Sequence, residues 1–462
     1  MWLVSFNQGA SAVNSTIKSA DLRSRRQRRG VARLGAVLLA SGALGASGVT
    51  QAATVFDQDG IAVDLYGILD AGVGYLEHSY AGSDYFASTI NPYNLNGSPH
   101  SFTGLYTGGI SMSRVGLKGE ADLGSGRKAF FRVESAINVT TGVLSSNGQA
   151  IYNNINGLRT ANAASAINGQ YFARAAYVGF SDPLWGQLEL GRTVNLAFDQ
   201  VVEFDPVQAA LLYSPLGFSG GIGGGLGATE NTRLDDSLKY ENKISGISVG
   251  LQYKFAGDKG ASSAGYGWVA MLGYSAGPLS FKGTFSETTN TVTWPVQYSN
   301  VVPPDPNVQV ENTKGYMLTG LWKITADATV KVGYENLEIW APSNLNLNIQ
   351  DYYSLTLPKP SVNATGQQRY GLWWVGGDYR FTPAFDLGIG FYDIDTYNQP
   401  EAGKTYLATA VSVLADYSFT RKFDAYAGVM AMQYSGPGLA KRAPALAYSN
   451  NTLYGVGLRF RF

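Results

Sequence analysis

Charged and apolar side chains alternate in this chain in a way that suits the attraction of ions rather than catalysis. Arg114 and Lys118 share one parity, whereas Val115 and Leu117 take the other. Arg132 likewise lies between two apolar neighbours. Because successive residues of a strand point to opposite faces, these cations should line one polar face. A row of guanidinium groups along a confined, water-filled surface would select ions by charge.

Residues suited to covalent or acid–base catalysis are few. The chain has no cysteine, which excludes a disulfide scaffold and any thiolate or cysteine-ligated metal site. Its two histidines, His78 and His100, both fall in a predicted loop (78–105) without an evident serine or aspartate constellation. Since proteases and phospholipases usually rely on histidine for acid–base chemistry, an enzyme is the weaker alternative. We expect no cofactor and no catalytic residue.

The last nine residues give the clearest indication of how the charged side chains are positioned. Five apolar or aromatic residues occupy one parity: Tyr454, Val456, Leu458, Phe460 and Phe462. Glycine and arginine occupy the other: Gly455, Gly457, Arg459 and Arg461. A transmembrane β-barrel has this pattern, because its strands turn apolar residues to lipid and polar residues to the lumen.

Similar segments recur along the chain, and they predict sixteen strands. The predicted strands lie near 61–77, 106–122, 128–139, 171–181, 186–195, 236–243, 247–256, 265–275, 279–289, 313–323, 328–338, 367–380, 385–397, 404–417, 424–434 and 452–462. Short turns and long polar connections alternate between them. The short turns are 123–126, 181–185, 244–246, 276–278, 325–327, 382–384 and 420–423, and the long connections are 78–105, 140–170, 196–235, 257–264, 290–312, 339–366, 398–403 and 435–451. This alternation predicts an up-and-down barrel with short periplasmic turns and long extracellular loops.

Closure of the sheet follows from the cost of unpaired backbone groups in hydrocarbon, which is several kcal/mol for each group. We therefore predict an all-β fold: a 16-stranded antiparallel transmembrane β-barrel. The length also permits an eighteen-stranded, substrate-specific channel. A soluble secreted β-protein with a binding role is a further alternative. Aromatic residues near strand ends would form interfacial girdles: Tyr66, Tyr75, Trp268, Tyr274, Trp373, Trp374, Phe391, Tyr392, Tyr417 and Phe419.

Residues 1–52 are interpreted as a signal peptide that is removed, and residues 53–462 as the barrel domain. A basic cluster at 23–33 precedes an apolar segment at 34–47, and Ala52 ends a small-residue cleavage motif. The apolar segment is too short to span a bilayer. Removing residues 1–52 takes away seven basic residues and one acid, which leaves 27 basic and 33 acidic residues from 34 of each. This acidic balance argues against a nucleic-acid partner.

Several blocks of the chain resemble the general porins of neisserial and burkholderial outer membranes, which are trimeric sixteen-stranded channels. The blocks are 64–73, 113–124 continuing into 128–135, 173–180 with 186–192, 233–240, and the terminal 457–462. The middle of the chain, 257–366, matches only in pattern. The resemblance implies an outer-membrane channel for passive diffusion of ions and small hydrophilic solutes. It also implies a homotrimer in contact with outer-membrane lipid and lipopolysaccharide, and a terminal strand, ending at Phe462, that barrel-assembly machinery recognises.

The resemblance also indicates where the channel narrows. In this family the third long loop, here 196–235, folds into the lumen, and its glycine-rich run at 217–227 would permit a tight backbone. By resemblance, Arg114, Arg174 and Arg233 occupy the constriction positions, and Arg132 and Arg192 are further candidates. The loop contributes three acids to the predicted waist: Asp199, Glu203 and Asp205.

Other roles for these charged residues remain open. The arginines could form salt bridges in the lumen or contact lipopolysaccharide, and the acids could belong to a plain solvated loop. Strict alternation places Arg174 with Val178 and Phe180, and places Arg192 beside Leu190. A β-bulge, or a position above the hydrocarbon band, would turn these arginines inward.

Overall fold

The computed structural model describes most of the chain beyond residue 52. The described residues are 53–58, 60–79, 100–140, 142, 172, 174–216, 233–255, 266–293, 307–340, 368–398, 405–435 and 450–462. The predicted signal peptide (1–52) and the glycine-rich run (217–227) lie outside them, as do most residues of the other predicted long loops. The described strands belong to one unit that spans Gly42–Phe462.

Eighteen strand segments and one helix, α1 (Leu196–Phe204), make up the regular structure of the described residues. The strands are β1 (Ala53–Gln58), β2 (Ile61–Ser79), β3 (His100–Thr107), β4 (Arg114–Gly124), β5 (Arg127–Ala136), β6 (Ala175–Asp182), β7 (Gly186–Val194), β8 (Arg233–Ile244), β9 (Ile247–Lys254), β10 (Gly267–Ala276), β11 (Leu279–Thr293), β12 (Asn307–Lys323), β13 (Ala328–Trp340), β14 (Gln368–Thr382), β15 (Phe385–Asn398), β16 (Thr405–Ser418), β17 (Phe423–Ser435) and β18 (Asn450–Arg461). Within these residues, no helix is long and apolar enough to cross a membrane.

The strands form one antiparallel sheet that closes on itself. Each strand from β4 to β18 pairs with the next, and β18 pairs back with β2 in a register that places Tyr454 opposite Tyr75. Beyond β18 the seam continues through the pair Gly67 and Phe462, whose backbone groups exchange hydrogen bonds of 2.9 and 3.1 Å. The predicted closed antiparallel barrel is therefore confirmed.

The eighteen segments occupy sixteen positions around the barrel. On one edge of β2, residues 68–76 pair with β18 and residues 61–65 pair with β1. The segments β18 and β1 therefore share one strand position beside β2. On the other edge, residues 71–79 pair with β3 and residues 61–68 pair with β4. The sixteen-stranded prediction is confirmed, and the eighteen-stranded alternative is wrong.

One strand prediction and one loop boundary are wrong in the same region. The predicted strand 106–122 is two segments, β3 and β4, separated by residues 108–113. The predicted loop 78–105 is shorter, because β2 runs to Ser79 and pairs there with His100 of β3. The alternation of residues did not reveal this interruption, because contacts from distant strands stabilise the conformation of residues 108–113.

The outer face of the barrel is apolar and the inner face is polar, as the terminal strand predicted. Val178, Leu318 and Val456 are 56%, 60% and 57% exposed, which places them at the lipid-facing surface. In β18, Arg459 and Arg461 are buried and both bind Asp424 of β17. Exposed rings at the short turns, such as Tyr417 packed against Phe419 with ring centroids 5.1 Å apart, fit an interfacial girdle.

Three aromatic residues assigned to the girdles lie inside the barrel instead. Tyr66, Trp374 and Tyr392 are buried and bind lumenal groups through their polar atoms. For Trp374 the physical reason is the strand period: Trp373 faces outward, so the next residue must face inward. The inward rings support the loop and the charged cluster described next.

Candidate functional site: a loop and an arginine cluster inside the barrel

The chain after β7 turns into the barrel as a helix followed by tight turns, and we call residues 195–216 the inserted loop. The side chain of Asn195 caps α1 by accepting a hydrogen bond of 2.9 Å from the backbone N–H of Ala197. One face of α1 is buried, including Val201 and Phe204. The helix packs along the inner wall formed by β9 to β13.

The three acids predicted from the loop sequence all bind the barrel wall. Asp199 pairs with Lys239 of β8 at 2.5 Å, and Glu203 pairs with Lys282 of β11 at 2.5 Å. Asp205 is fully buried and accepts a hydrogen bond of 2.6 Å from the Tyr392 hydroxyl. Glu203, whose side chain is 45% exposed, is the most accessible of the three.

Asp205 lies at the junction between the helix and the turns that follow. Its carboxylate also accepts a hydrogen bond from the Ala209 backbone N–H, and its carbonyl accepts one of 3.0 Å from Lys331 of β13. Burial raises the pKa of the Asp205 carboxyl, and the hydrogen bonds from Tyr392 and Ala209 act in the opposite direction. Beside it, the Trp374 indole N–H donates to the Phe204 carbonyl at 3.0 Å.

Neutral polar groups add further anchors for the helix. The Gln200 side-chain amide donates to the Lys282 carbonyl and to the Thr319 hydroxyl, both at 3.0 Å, and its oxygen accepts from the Thr284 hydroxyl. Because Gln200 is fully buried, these bonds satisfy groups that would otherwise be costly to bury. They also tie the helix to two neighbouring strands, β11 and β12.

The second half of the inserted loop packs by shape on glycine-rich strands. The Tyr213 ring lies over β17 and β18, where a Cβ atom at Gly428 would come within 2.6 Å of the ring and one at Gly455 within 2.4 Å of the hydroxyl. Only glycine allows this approach. The Tyr213 hydroxyl lies 3.2 Å from that of Tyr106, and the ring contacts Tyr426 edge-on at 6.2 Å between centroids.

Tyr392→Phe should destabilise the folded barrel by about 1.5–3 kcal/mol, the usual contribution of a hydrogen bond to a charged group. The change removes the hydroxyl that donates to the buried Asp205 and leaves the ring in place. The measurement is the loss of the folded band in a thermal series on non-boiled gels. Tyr274→Phe is the matched control, because Tyr274 is an outward-facing tyrosine that is 53% exposed. Equal stability of the two variants would contradict the anchoring role.

Each of the five arginines predicted from the sequence interacts electrostatically with at least one other, and together they form a contiguous arc of the wall. We call this set the arginine cluster: Arg114, Arg132, Arg174, Arg192 and Arg233. Arg114 interacts electrostatically with Arg132, Arg174 and Glu134, and Arg233 interacts with Arg114, Arg174 and Arg192. The arc runs across neighbouring strands from β4 to β8.

A buried carboxylate, Glu134 of β5, organises the centre of the cluster. It accepts hydrogen bonds of 2.6 Å from Arg132 and 2.6 Å from Arg174, and one of 2.8 Å from the Tyr66 hydroxyl. Arg132 also donates to Tyr66 at 2.6 Å. Arg233 donates to the backbone carbonyl of Arg174 at 2.7 Å. These bonds hold the guanidinium groups in fixed orientations.

The two arginines with unfavourable parity are accommodated by irregular backbone. Arg174 precedes the first residue of β6, so the alternation that turns Val178 outward does not apply to it. Arg192 lies at a β-bulge, where the pairing of β7 with β8 shifts between Gly191 and Thr193. Both arginines are buried. For Arg192 the structure shows the first of the two alternatives, a β-bulge.

Some groups at the site were not found from the sequence. Lys239, Lys282 and Lys331 share the inward parity of their strands, so alternation could have identified them as lumenal, although not as partners of the loop. Met112, whose sulfur lies 2.7 Å from the Arg174 guanidinium, belongs to the segment that interrupts β3 and β4. The Gly108–Gly109 pair that opens the segment is a local turn signal that could have indicated an interruption there.

A closed antiparallel barrel with an apolar exterior, a loop folded into its lumen and a cluster of arginines on the inner wall defines the class of outer-membrane channel proteins. The chain belongs to the Gram-negative porin family, whose model matches residues 35–437. This places the protein in the outer membrane.

Curated relatives come from two Gram-negative bacteria. An outer membrane porin protein of Bordetella pertussis is 34% identical over 235 residues, which are 50% of this chain and 49% of that protein. Outer membrane porin protein 32 of Delftia acidovorans is 27% identical over 248 residues, which are 53% of this chain and 57% of that protein. The chain thus matches about half the length of each relative.

Solved structures show the same fold at low sequence identity. The anion-selective porin from Comamonas acidovorans has a TM-score of 0.59 at 18% identity and matches 87% of this chain and 100% of its own. The trimer form of OmpT from Vibrio cholerae has a TM-score of 0.55 at 17% identity and matches 87% of this chain and 100% of its own.

Proposed function

We propose that this protein forms a water-filled channel through which ions and small hydrophilic solutes diffuse passively, and that its waist favours anions. The observation that carries the proposal is the arginine cluster inside the closed barrel. Four of the guanidinium groups interact with Glu134 and the fifth, that of Arg192, interacts with Arg233, so the fixed charge of this described set is positive. A positive field in a confined lumen attracts anions and repels cations.

The narrowing of the channel is assigned to the inserted loop and to the wall that carries the arginine cluster. The loop acids Asp199, Glu203 and Asp205 serve in this proposal mainly to anchor the loop, because each binds a group of the wall. Glu203 also presents charge to the lumen. Arg114, Arg132, Arg174, Arg192 and Arg233 supply the selective field. This function needs no cofactor and no catalytic group.

Planar-bilayer recording tests the proposed function directly. The purified protein should produce discrete conductance steps and, in a salt gradient, a reversal potential with the sign of anion preference. Absence of conductance steps from the folded barrel would contradict the channel. A reversal potential of the opposite sign would contradict the role of the arginines but leave the channel intact.

We further propose a homotrimer, supported by the trimeric form of one structural neighbour and by the shared fold. Non-boiled gels and mass spectrometry in mild detergent should show three copies, and migration as a monomer in both would refute the assembly. Contact with lipopolysaccharide, recognition of the strand that ends at Phe462 by barrel-assembly machinery, and removal of residues 1–52 stay predictions.

A further inference from the structure

A second buried carboxylate, that of Asp70 of β2, binds the six residues that separate β3 from β4. We call residues 108–113 the docking segment. The Asp70 carboxylate accepts hydrogen bonds from three consecutive backbone N–H groups, those of Gly109, Ile110 and Ser111, at 3.0, 3.0 and 2.7 Å. Successive N–H groups that converge in this way form a concave anion-binding nest. Here the anion belongs to the protein itself.

The main chain of Asp70 binds the ends of the same segment. Its carbonyl accepts from the Gly108 N–H at 2.8 Å and from the Ser113 hydroxyl at 2.9 Å, and its own N–H donates to that hydroxyl at 2.9 Å. From across the seam, the Tyr426 hydroxyl donates to the carboxylate at 2.5 Å. The docking segment is therefore wrapped around one residue.

Peptide geometry connects this nest to the inserted loop. In a trans peptide the C=O of one residue and the N–H of the next point in opposite directions. Because Asp70 draws the N–H groups of Ile110 and Ser111 toward itself, the carbonyls of Gly109 and Ile110 point away from it. These two carbonyls accept the N–H groups of Leu212 and Leu211 of the inserted loop, at 2.9 and 3.2 Å.

The docking segment thus lies between the loop and the arginine cluster and contacts both. Met112 contacts Arg174 of the cluster. The Ser111 hydroxyl also accepts a hydrogen bond of 2.9 Å from Arg459 of β18, which is not a member of the cluster. The first half of the inserted loop has its own anchors on β8 to β15, whereas the second half binds the backbone of this segment. The hydrogen bonds of the Asp70 carboxylate in the described structure go to the docking segment and to Tyr426, so Asp70 acts on the loop through these neighbours.

We propose that Asp70 is a positioning residue that fixes the second half of the inserted loop, and thereby the width and steadiness of the channel waist. The proposal rests on the proposed channel function. It assigns a role to a residue at the seam between the first and last strands, away from the charged groups that select ions. Loosening Asp70 should release the loop without changing the charge of the arginine cluster.

Asp70→Asn is the primary test. An amide keeps the shape of the carboxylate but offers one acceptor oxygen and two N–H groups that repel the N–H groups of the nest. We expect the undocked fraction of the loop to rise about tenfold or more, since loss of one hydrogen bond to a charged group shifts an equilibrium by about that factor. Single-channel traces should show larger current noise and new substates.

A direct probe of loop motion separates this inference from the channel function. The chain has no cysteine, so a spin label at Gln208→Cys, an exposed loop position, is unique. In the Asp70→Asn background the label should move faster. Asp64→Asn is the matched control, because Asp64 lies on the same strand and face, makes no contact with the docking segment in the described structure, and binds Thr54 and Lys118.

The outcomes distinguish the two proposals. A folded Asp70→Asn barrel with unchanged label motion and unchanged current noise overturns the positioning role, whereas a wild-type barrel without conductance overturns the channel and leaves the label measurement valid. If Asp70→Asn does not fold, Tyr426→Phe replaces it, because this change removes one donor to Asp70 and preserves the charge. Unchanged label motion in Tyr426→Phe then overturns the inference, and faster motion supports it.

Discussion

Replacement of Arg114 and Arg174 together by alanine should move the reversal potential of the channel toward zero by tens of millivolts in a tenfold salt gradient. An ideally selective channel for monovalent ions reaches about 59 mV under these conditions. The five arginines and Glu134 carry a formal net charge of +4, and the double variant reduces it to +2. Since the field that attracts anions scales with this charge, anion preference should fall markedly.

The geometry explains why these two arginines are the informative choice. Arg174 binds Glu134 and contacts Met112, whereas Arg114 interacts with Glu134 without being its closest partner. In the double variant Arg132 still pairs with Glu134, so the carboxylate keeps a cation beside it. The barrel should therefore fold, and the change in reversal potential should report the lost charge.

A matched control removes two positive charges from the same wall but at the periplasmic end. Arg127 and Lys128 begin β5 and pair with Asp182 and Glu120, respectively, in exposed salt bridges. Arg127→Ala with Lys128→Ala should shift the reversal potential little, because exposed charges are screened by salt within about 10 Å at 0.1 M. If both double variants gave the wild-type reversal potential, the arginine cluster would have no part in selection.

The architecture could be predicted from the sequence because its causes are local. In β18, Val456 and Arg459 have opposite parity. The apolar side chain is favoured on the lipid-facing side and the charged one on the side that faces the lumen. Turns such as 244–246 and 276–278 carry glycine, serine or proline, which favour tight reversals irrespective of context. Sixteen repetitions of this local pattern determine a closed barrel.

The conformation of residues 108–113 could not be predicted, because the groups that hold it are distant in the chain, although the Gly108–Gly109 pair is a local turn signal. Asp70 lies 39 residues before Gly109, and the Tyr426 hydroxyl reaches Asp70 across 356 residues. Alternation continues through both flanking segments, so the pattern looks like one strand. Only the closed seam brings the carboxylate and the three N–H groups together.

The sequence indicated which charged side chains lie on the inner wall and loop better than it indicated what each of them binds. Parity favoured Arg114 and Arg132, whereas Arg174 and Arg233 were predicted from family resemblance. In the structure each of the five arginines interacts electrostatically with at least one other. The partners of the loop acids were not predicted, because a cation on a strand that faces the lumen has many possible partners. Asp205 illustrates the difference: its sequence position indicates an exposed loop acid, yet Tyr392 and Ala209 bind it in a fully buried site.

Glu134→Gln should raise anion preference and lower barrel stability at the same time. The change increases the net charge of the cluster from +4 to +5, so the reversal potential should move further in the anion-selective direction. It also replaces a carboxylate that binds Tyr66, Arg132 and Arg174 by an amide with one acceptor oxygen. Removal of one partner from a buried ion pair costs about 3–5 kcal/mol, which should lower the unfolding temperature on non-boiled gels.

Glu120→Gln is the control for this change, because Glu120 lies on neighbouring β4 and pairs with Lys128 in an exposed salt bridge. Such pairs contribute about 0–1 kcal/mol, so stability and reversal potential should stay near the wild type. Adding Arg132→Met to Glu134→Gln should recover part of the lost stability, since it removes one cation left without its carboxylate. A Glu134→Gln barrel with wild-type stability would show that the guanidinium groups have sufficient solvent or other partners. The opposite signs of the two effects, greater selectivity with lower stability, distinguish a carboxylate that restrains a charged cluster from one that merely fills space.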